Sequence, residues 1–230
     1  MSKLTCPQCL GTRIVRNGKK ANGSQNYLCK DCKKQFISDS ERTYKGTITG
    51  ITDLIKRAMV RGSGIRDIAF VFMISIGKIL KTLAESSYDI MPKKQHYSCL
   101  EIDELWTFVG SKNNKKWLLY AYDRQSGEIV AFVWGSRNTK TAKALRKKLI
   151  DLEITYDCIA TDDWVSFKKA FAKDNHIIGK EHTVGIEGNN CRIRHRMRRA
   201  FRKTCNFSKN ETNHNKAFEM TVHYINFEVV

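Results

Sequence analysis

Four cysteines near the amino terminus constrain the fold of this chain more than any other feature. They form two close pairs, Cys6 with Cys9 and Cys29 with Cys32, and 19 residues separate the pairs. Two such pairs predict one structural zinc site, because each pair presents two thiolates to a tetrahedral ion. Four thiolates leave no open coordination position, so the site is expected to stabilise a fold and not to catalyse a reaction.

Two disulfides or four unrelated thiols are the alternative interpretations. Disulfides fit poorly with a chain whose first residues lack the apolar core of a secretory signal. Residues 13–16 and 25–28 predict short strands, and a segment this small needs the metal, since structural zinc contributes on the order of 10–16 kcal/mol in small peptides. The other cysteines show no comparable spacing and are expected to be buried apolar side chains; they are Cys99, Cys158, Cys191 and Cys205.

The net charge of the chain predicts a polyanionic partner. Lysine and arginine number 41 against 23 acidic residues, for a formal charge of +18. Residues 1–90 carry 16 bases and 7 acids and residues 91–230 carry 25 and 16, so each part contributes +9. Phosphates neutralised by basic side chains release condensed counterions, which favours nucleic acid as the partner. No apolar stretch is long enough to span a bilayer, and we expect a cytoplasmic protein with no membrane partner.

A helical periodicity begins at residue 51. Apolar residues recur at three- and four-residue steps over 51–59, 65–72 and 76–83, and Ser75 can cap the third helix. Two short helices joined by a tight turn, with Lys78 and Lys81 facing outward, predict a helix-turn-helix that contacts DNA. A helical bundle that only spaces two domains is the alternative, and residues 70–74 are apolar enough for a strand.

The remaining core lies in residues 98–230, where three successive strands are followed by alternating helices and strands. The predicted strands are 98–109, 116–122, 128–133, 156–161 and 176–179, and the predicted helices begin after the cap Asn138, at 164, near 186 and near 213. This order is typical of an α/β fold with an RNase H-like mixed sheet, in which the first and fourth strands are neighbours.

Three acidic residues fall where this topology would bring them together. Asp103 lies within the first of these strands, Asp162 follows the fourth, and Glu187 opens a helix. Carboxylate oxygens suit Mg²⁺ or Mn²⁺, and two such ions can stabilise both the attacking and the leaving oxygen of an in-line displacement at phosphate. The sequence therefore predicts a catalytic site of Asp103, Asp162 and Glu187 that holds two divalent ions.

Each acid also has a simpler interpretation. Asp103 can face solvent, with Glu101 or Glu104 at the site in its place. Asp162 or Asp163 can cap the next helix, and Glu187 in a first helical turn is favoured by the helix dipole. Their joint occurrence in a basic chain favours the catalytic interpretation.

A run of basic residues follows Glu187 and is expected to continue its helix. Seven of the 13 residues in 191–203 are lysine or arginine, and none is acidic. Because acids would normally be interspersed on a solvated face, this composition predicts contacts with the DNA backbone. The DNA-binding candidates in this region are Asn190, Arg194, Arg198 and Arg202.

Several short motifs run along the chain and are specific as a set, although none is alone. They are Cys6-Pro-x-Cys9, Arg16-Asn-Gly-Lys19, Tyr27-x-Cys29-x-x-Cys32, Asp103-Glu-Leu-Trp106, Trp117-x-x-Tyr120-Ala-Tyr-Asp123, Thr161-Asp-x-Trp164, Ile186-Glu187, Arg202-Lys-Thr204 and Phe207-Ser-Lys209. Together they resemble the transposases of the IS1 family of insertion sequences over nearly the whole chain. One difference is that Gly188-Asn189-Asn190 follows the glutamate, where other members have Arg-His-Asn.

The resemblance implies a DDE-type catalytic domain in which Asp103, Asp162 and Glu187 are the catalytic acids. It also implies that the zinc ribbon and the helix-turn-helix recognise the terminal inverted repeats of the element. Some members join the ribbon-bearing and catalytic segments by translational frameshifting, whereas here they share one frame. Because two ends must be cut in concert, a homodimer or a larger synaptic complex on double-stranded DNA is expected.

We therefore predict a zinc ribbon at 1–45, a helix-turn-helix at 46–90 and an RNase H-like catalytic domain at 91–230. The predicted function is DNA transposition by metal-dependent strand cleavage and strand transfer. A DNA-binding regulator with an inactive third module and a structure-selective nuclease are the alternatives. Trp106 and Trp164 are expected in the core or stacked on an unpaired base.

Overall fold

The computed structural model of the chain describes residues 4–21, 23–38, 44–200, 203 and 205–230. Its first unit is a three-stranded antiparallel sheet of β1 (Ile14–Lys19), β2 (Gln25–Cys29) and β3 (Gln35–Ile37). The sequence predicted β1 and β2 but not β3, which is three residues long and pairs with β2 directly after the second cysteine pair. Phe36 of β3 is buried beside two of the cysteines, so this sheet has almost no core apart from the cysteine cluster.

Three helices follow, α1 (Ile51–Val60), α2 (Ile65–Phe72) and α3 (Ile76–Glu85). Residues 70–72 belong to α2, and the chain turns at Met73, which adopts a left-handed conformation with φ of 52°. Ser75 then caps α3 by accepting a hydrogen bond from the backbone N–H of Lys78 at 3.1 Å, as its position predicted. The strand interpretation of residues 70–74 is therefore wrong, and the helix-turn-helix pattern is present.

The largest unit is a five-stranded mixed sheet in the order β6-β5-β4-β7-β8. Its strands are β4 (His96–Phe108), β5 (Lys115–Asp123), β6 (Glu128–Gly135), β7 (Thr155–Thr161) and β8 (His176–Ile178). The first three pair antiparallel, and β7 returns parallel to β4. This is the RNase H-like order, and the predicted adjacency of the first and fourth of these strands is confirmed.

Four helices cover the two faces of the sheet: α4 (Thr139–Asp151), α5 (Val165–Ala170), α6 (Val184–Arg196) and α7 (Glu211–Phe227). Side chains alternate along β4, so Ile102 packs in one core with residues of α4 and α5. Leu105 lies on the other face, in a second core with residues of α6 and α7. That second core also contains buried residues of α1, α2 and α3, so the helix-turn-helix packs against the α6–α7 face.

Two sequence-based expectations about this region are wrong. Helix α6 ends at Arg196, and Arg198–Ala200 form a single turn of 3₁₀ helix, so the basic run is not one continuous helix. Cys99 and Cys158 are not isolated buried side chains but a disulfide, because they lie directly opposite each other in the β4–β7 register. Cys191 and Cys205 are exposed thiols and not buried ones.

Within the described parts of the chain, every helix is too short or too polar to cross a bilayer. The proposed boundaries at residues 45 and 90 stay predictions.

Candidate active site

Asp103 lies half-buried in the middle of β4 and is held by two hydrogen bonds. Its Oδ1 accepts from the backbone N–H of Glu104 at 2.7 Å, and its Oδ2 accepts from Nδ2 of Asn190 at 2.7 Å. Burial raises the pKa of Asp103 to about 7, and the negative charges of Glu104 and Asp162 act in the same direction. A divalent cation beside this carboxyl would lower the pKa, because positive charge favours the ionised form.

Asp162 directly follows β7, the strand next to β4 in the sheet. In the parallel β4–β7 ladder Ile102 lies opposite Thr161, so the next residues along each strand are Asp103 and Asp162. Oδ1 of Asp162 accepts from the backbone N–H of Trp164 at 3.1 Å, a local turn that holds the carboxylate beside the strand end. Helix α5 begins only at Val165 and has no side-chain cap, so capping is not the role of Asp162.

Glu187 lies in the first turn of α6 with an exposed side chain. Asn190, which bonds Asp103, is three residues further along α6, so Glu187 and Asn190 lie on the same side of the helix. Within the described residues, however, the carboxylates of Asp103, Asp162 and Glu187 do not form a group whose oxygens all lie within 4.8 Å of one another. The structure thus places Asp103 beside Asp162. Glu187 is not part of this pair and lies one helical turn before Asn190, the residue of α6 that bonds Asp103.

Glu101 and Glu104 were alternatives to Asp103, and the structure gives each a different partner. Glu101 is 4% exposed, and its Oε2 accepts from the backbone N–H of Ile186 at 2.6 Å, so it caps the start of α6. A Cβ at Gly185 would lie 2.7 Å from Oε1 of Glu101, so a larger residue there would displace the Glu101 side chain. Glu104 instead accepts from Nε of Arg137 at 2.6 Å.

Tyr120 is a neighbour of Asp103 that sequence reasoning missed. It lies opposite Asp103 in the β4–β5 register and is fully buried. Its hydroxyl is 3.0 Å from Oδ1 of Asn190 and accepts from Nδ2 of Asn189 at 3.3 Å. Because antiparallel partners share a face, the position of Tyr120 in β5 was the available signal. Together Glu101 and Tyr120 fix α6 against β4.

The four amino-terminal cysteines form a compact ligand set. Their sulfur atoms all lie within 4.8 Å of one another, with Cys6 and Cys32 at 3.5 Å and Cys9 and Cys29 at 3.6 Å. A tetrahedral ion with zinc–sulfur bonds of about 2.3 Å needs sulfur–sulfur separations of roughly 3.8 Å, so the cluster fits zinc.

The two cysteine loops are built alike. The N–H of Leu10 bonds the carbonyl of Cys6 at 2.9 Å, and the N–H of Lys33 bonds the carbonyl of Cys29 at 3.0 Å. Leu10 and Lys33, each directly after the second cysteine of its pair, adopt left-handed conformations with φ of 59° and 61°. Equivalent turns therefore point both pairs at one centre.

The sequence model of the family described as IS1 transposase matches residues 97–229, which include the whole sheet-and-helix unit except the first residue of β4. The chain belongs to the IS1 transposase family. A second match, to the InsA N-terminal domain, covers residues 2–33 and includes all four cysteines. The amino-terminal unit is therefore a zinc ribbon whose ion is structural.

Curated relatives agree with this assignment. The protein InsB of insertion element iso-IS1n from Shigella dysenteriae is 40% identical over 116 residues, 50% of this chain and 87% of that protein. InsB of insertion element IS1 from Shigella flexneri is 35% identical over 130 residues, 56% of this chain and 95% of that protein. With the family match, these relatives establish a transposase function and an enzyme of the DDE nuclease and transposase class.

A cryo-electron microscopy structure of a simian T-cell lymphotropic virus intasome with PP2A regulatory subunit B56 gamma also matches. The match covers 76% of this chain and 69% of the intasome chain, with 13% sequence identity and a TM-score of 0.43. A likeness at that level adds nothing to the assignment.

The DNA-binding candidates occupy different surroundings. Lys81 is exposed and forms an ion pair with Glu85 at 3.6 Å, whereas Lys78 is half-buried at the start of α3. Arg194 is half-buried on α6. Burial raises the pKa of the Tyr120 hydroxyl, and the positive charge of Arg194 acts against this rise. Arg198 is exposed. Arg202 lies outside the described residues, as does Phe201.

Proposed function

We propose that the chain binds the terminal inverted repeats of its insertion element, cleaves the strand at each end and joins the freed 3′-hydroxyl to target DNA. Asp103, Asp162 and Glu187 are the catalytic acids in this proposal. The observation that carries it is the parallel β4–β7 register, in which Asp103 and Asp162 directly follow the paired residues Ile102 and Thr161. An α6 side chain, Asn190, bonds the first of these acids at 2.7 Å.

The donor set suits hard divalent cations. Asp103 and Asp162 offer carboxylate oxygens, and Glu187 offers a third on the neighbouring helix, which is the chemistry that Mg²⁺ or Mn²⁺ prefers. When bound, two such ions would supply positive charge to the attacking and leaving oxygens of an in-line displacement.

The residues around the acids have their own tasks in this proposal. Asn190 holds Oδ2 of Asp103 and thereby orients the carboxylate. Glu101 holds the start of α6 through Ile186, which keeps Glu187 within one helical turn of Asn190. The exposed side chain of Glu187 would supply the third carboxylate that holds the ions. No covalent protein–DNA bond is needed in this reaction.

The zinc ribbon and the helix-turn-helix supply recognition of the element ends. The outward charges of Lys78 and Lys81 on α3 are the proposed contacts of the helix-turn-helix, and Asn190, Arg194, Arg198 and Arg202 are the proposed contacts near the acids. Cutting two ends in concert requires two active sites, so we propose a homodimer or larger synaptic complex that acts on DNA in the cytoplasm.

The test is cleavage and joining of DNA that carries the element's own ends, with Mg²⁺ or Mn²⁺, by wild type and by Asp103→Asn. We expect nicked and joined products from wild type only, at equal DNA affinity. Cleavage without joined products would indicate a nuclease, and binding without cleavage by either protein would indicate a regulator. Equal cleavage by both proteins would overturn the site assignment.

A further inference from the structure

Arg137 lies next to the proposed catalytic acids on the opposite face of the sheet from Asn190. It directly precedes Asn138, the residue that caps α4, and its Nε donates to Oε1 of Glu104 at 2.6 Å. Glu104 is the neighbour of Asp103 in β4, and its side chain is 9% exposed, whereas that of Arg137 is 42% exposed. The buried carboxylate therefore holds an accessible cation.

Two tryptophan rings lie against this cation. The guanidinium carbon of Arg137 is 4.6 Å from the ring centroid of Trp164 and 5.6 Å from that of Trp117. Such distances are within the range of cation–π attraction. The backbone N–H of Trp164 is bonded to Asp162 at 3.1 Å, so the guanidinium is joined to a catalytic acid through one residue.

Electrostatics place the same groups close together. Burial raises the pKa of Glu104, and the charge of Asp162 raises it further while the Arg137 guanidinium lowers it. The negative charges of Asp103, Asp162 and Glu104 repel a DNA phosphate, and a cation held beside them counteracts that repulsion.

Most of the hydrogen-bonding capacity of Arg137 is unused. Its Nε is bonded to Glu104, and within the described residues neither Nη atom has a hydrogen-bond partner. Oε2 of Glu104 is also buried without a partner among those residues, so the pair is joined by a single bond. The four remaining N–H groups form the planar fork that recognises phosphate oxygens.

We propose that Arg137 contacts a backbone phosphate of the DNA strand that is cut at Asp103 and Asp162, and that Glu104 positions Arg137 for this contact. The inference rests on the proposed function, since it takes DNA as the ligand of this sheet edge. It assigns Glu104 to positioning and not to the metal ligands. Trp117 and Trp164 contribute cation–π attraction that keeps the guanidinium in this place.

The test measures DNA affinity as a function of salt for a duplex carrying the element's ends, without added divalent ions and with zinc retained. Loss of one phosphate contact makes the slope of log K against log[salt] shallower by about 0.9. We expect this change for Arg137→Ala, and a slope near that of wild type for Arg137→Lys, which keeps the charge. The matched control is Arg146→Ala, since Arg146 also pairs a carboxylate, Asp174, at 2.8 Å but lies away from the acids.

A second arm locates the phosphate and does not depend on a folded alanine variant. Single phosphates around the cleavage position are replaced by neutral methylphosphonates, and one replacement is expected to weaken binding by wild type. The same replacement should cost Arg137→Ala nothing further. If no replacement near the cut weakens wild-type binding, or if Arg137→Ala keeps the full salt slope, Arg137 is only a structural residue and the proposal is wrong.

Because both arms measure binding, they separate this inference from the proposed catalysis. Equal cleavage by wild type and Asp103→Asn would overturn the catalytic assignment while leaving the phosphate contact of Arg137 measurable.

Discussion

Nδ2 of Asn190 donates a hydrogen bond to Oδ2 of Asp103 at 2.7 Å and so ties helix α6 to the central strand β4. Oδ1 of the same amide accepts a hydrogen bond from the hydroxyl of Tyr120 at 3.0 Å. One side chain therefore satisfies two buried polar groups and sets the distance between the helix and the acid. This contact helps to set the position of α6, the helix that carries Glu187.

Replacing Asn190 with alanine tests this connection. The change leaves Oδ2 of Asp103 without its partner and removes one of the partners of the Tyr120 hydroxyl, and we expect a loss of about 1–3 kcal/mol in the free energy of unfolding. Cleavage should fall as well, at unchanged zinc content. Urea unfolding measures the first effect, with Asn175→Ala as the control because Asn175 is exposed and bonds only one backbone carbonyl. A loss no larger than that of the control would contradict the role of Asn190.

Glu101 is predicted to hold the start of α6 in place, although it is not one of the proposed catalytic acids. Glu101→Ala removes the acceptor for the N–H of Ile186 and is expected to cost about 1–3 kcal/mol of unfolding free energy. Hydrogen exchange should show faster opening of α6 in particular. Asp53→Ala is the control, since Asp53 is an exposed acid in the first turn of α1. Equal exchange in α6 for both variants would rule out this positioning role.

The raised pKa of Asp103 makes the stability of the divalent-ion-free protein depend on pH. The pKa of Asp103 is about 7 in the folded protein and 3.8 for an ordinary aspartate, so the folded state binds more protons between these values. Its stabilising effect is therefore complete below the lower value and is lost as pH rises towards about 7. Asp103→Asn should remove this decline. The measurement is the difference in urea midpoint between the two proteins from pH 5 to 7.5, and a constant difference would sink the prediction.

Much of the fold was predictable because its signals are local. The cysteine spacing, the three successive strands and the Ser75 and Asn138 caps depend only on residues near one another in sequence, and the zinc ribbon and the RNase H-like sheet are confirmed. The β4–β7 adjacency followed from the order of elements.

The features that were missed depend on register and packing between distant segments. The Cys99–Cys158 disulfide needs those two residues to face each other across β4 and β7, which no spacing along the chain reveals. The helix α6 ends at Arg196 because Met197 is buried in the core with non-helical backbone angles, although the basic composition continues. The catalytic roles of Asp103, Asp162 and Glu187 remain predictions from sequence.

Zinc removal should unfold the ribbon and leave the remaining fold in place. Cys9→Ser is expected to abolish binding of the structural ion, because three thiolates and a hydroxyl hold zinc much less tightly. Native mass spectrometry measures the ion, and hydrogen exchange should rise in β1, β2 and β3 but not in β4. Cys205→Ser is the control, an exposed thiol outside the cluster. A Cys9→Ser protein that retains zinc would contradict the four-cysteine site.

The central claim is that Asp103 ligates the catalytic ions, and a change of ligand chemistry tests it most directly. Asp103→Cys replaces a hard oxygen with a softer sulfur, which disfavours Mg²⁺ more than Mn²⁺. We predict that DNA carrying the element's ends is not cleaved by Asp103→Cys in Mg²⁺ and is cleaved measurably in Mn²⁺, while wild type is active in both. Cleavage by Asp103→Cys at the wild-type rate in Mg²⁺ would show that Asp103 is not a ligand.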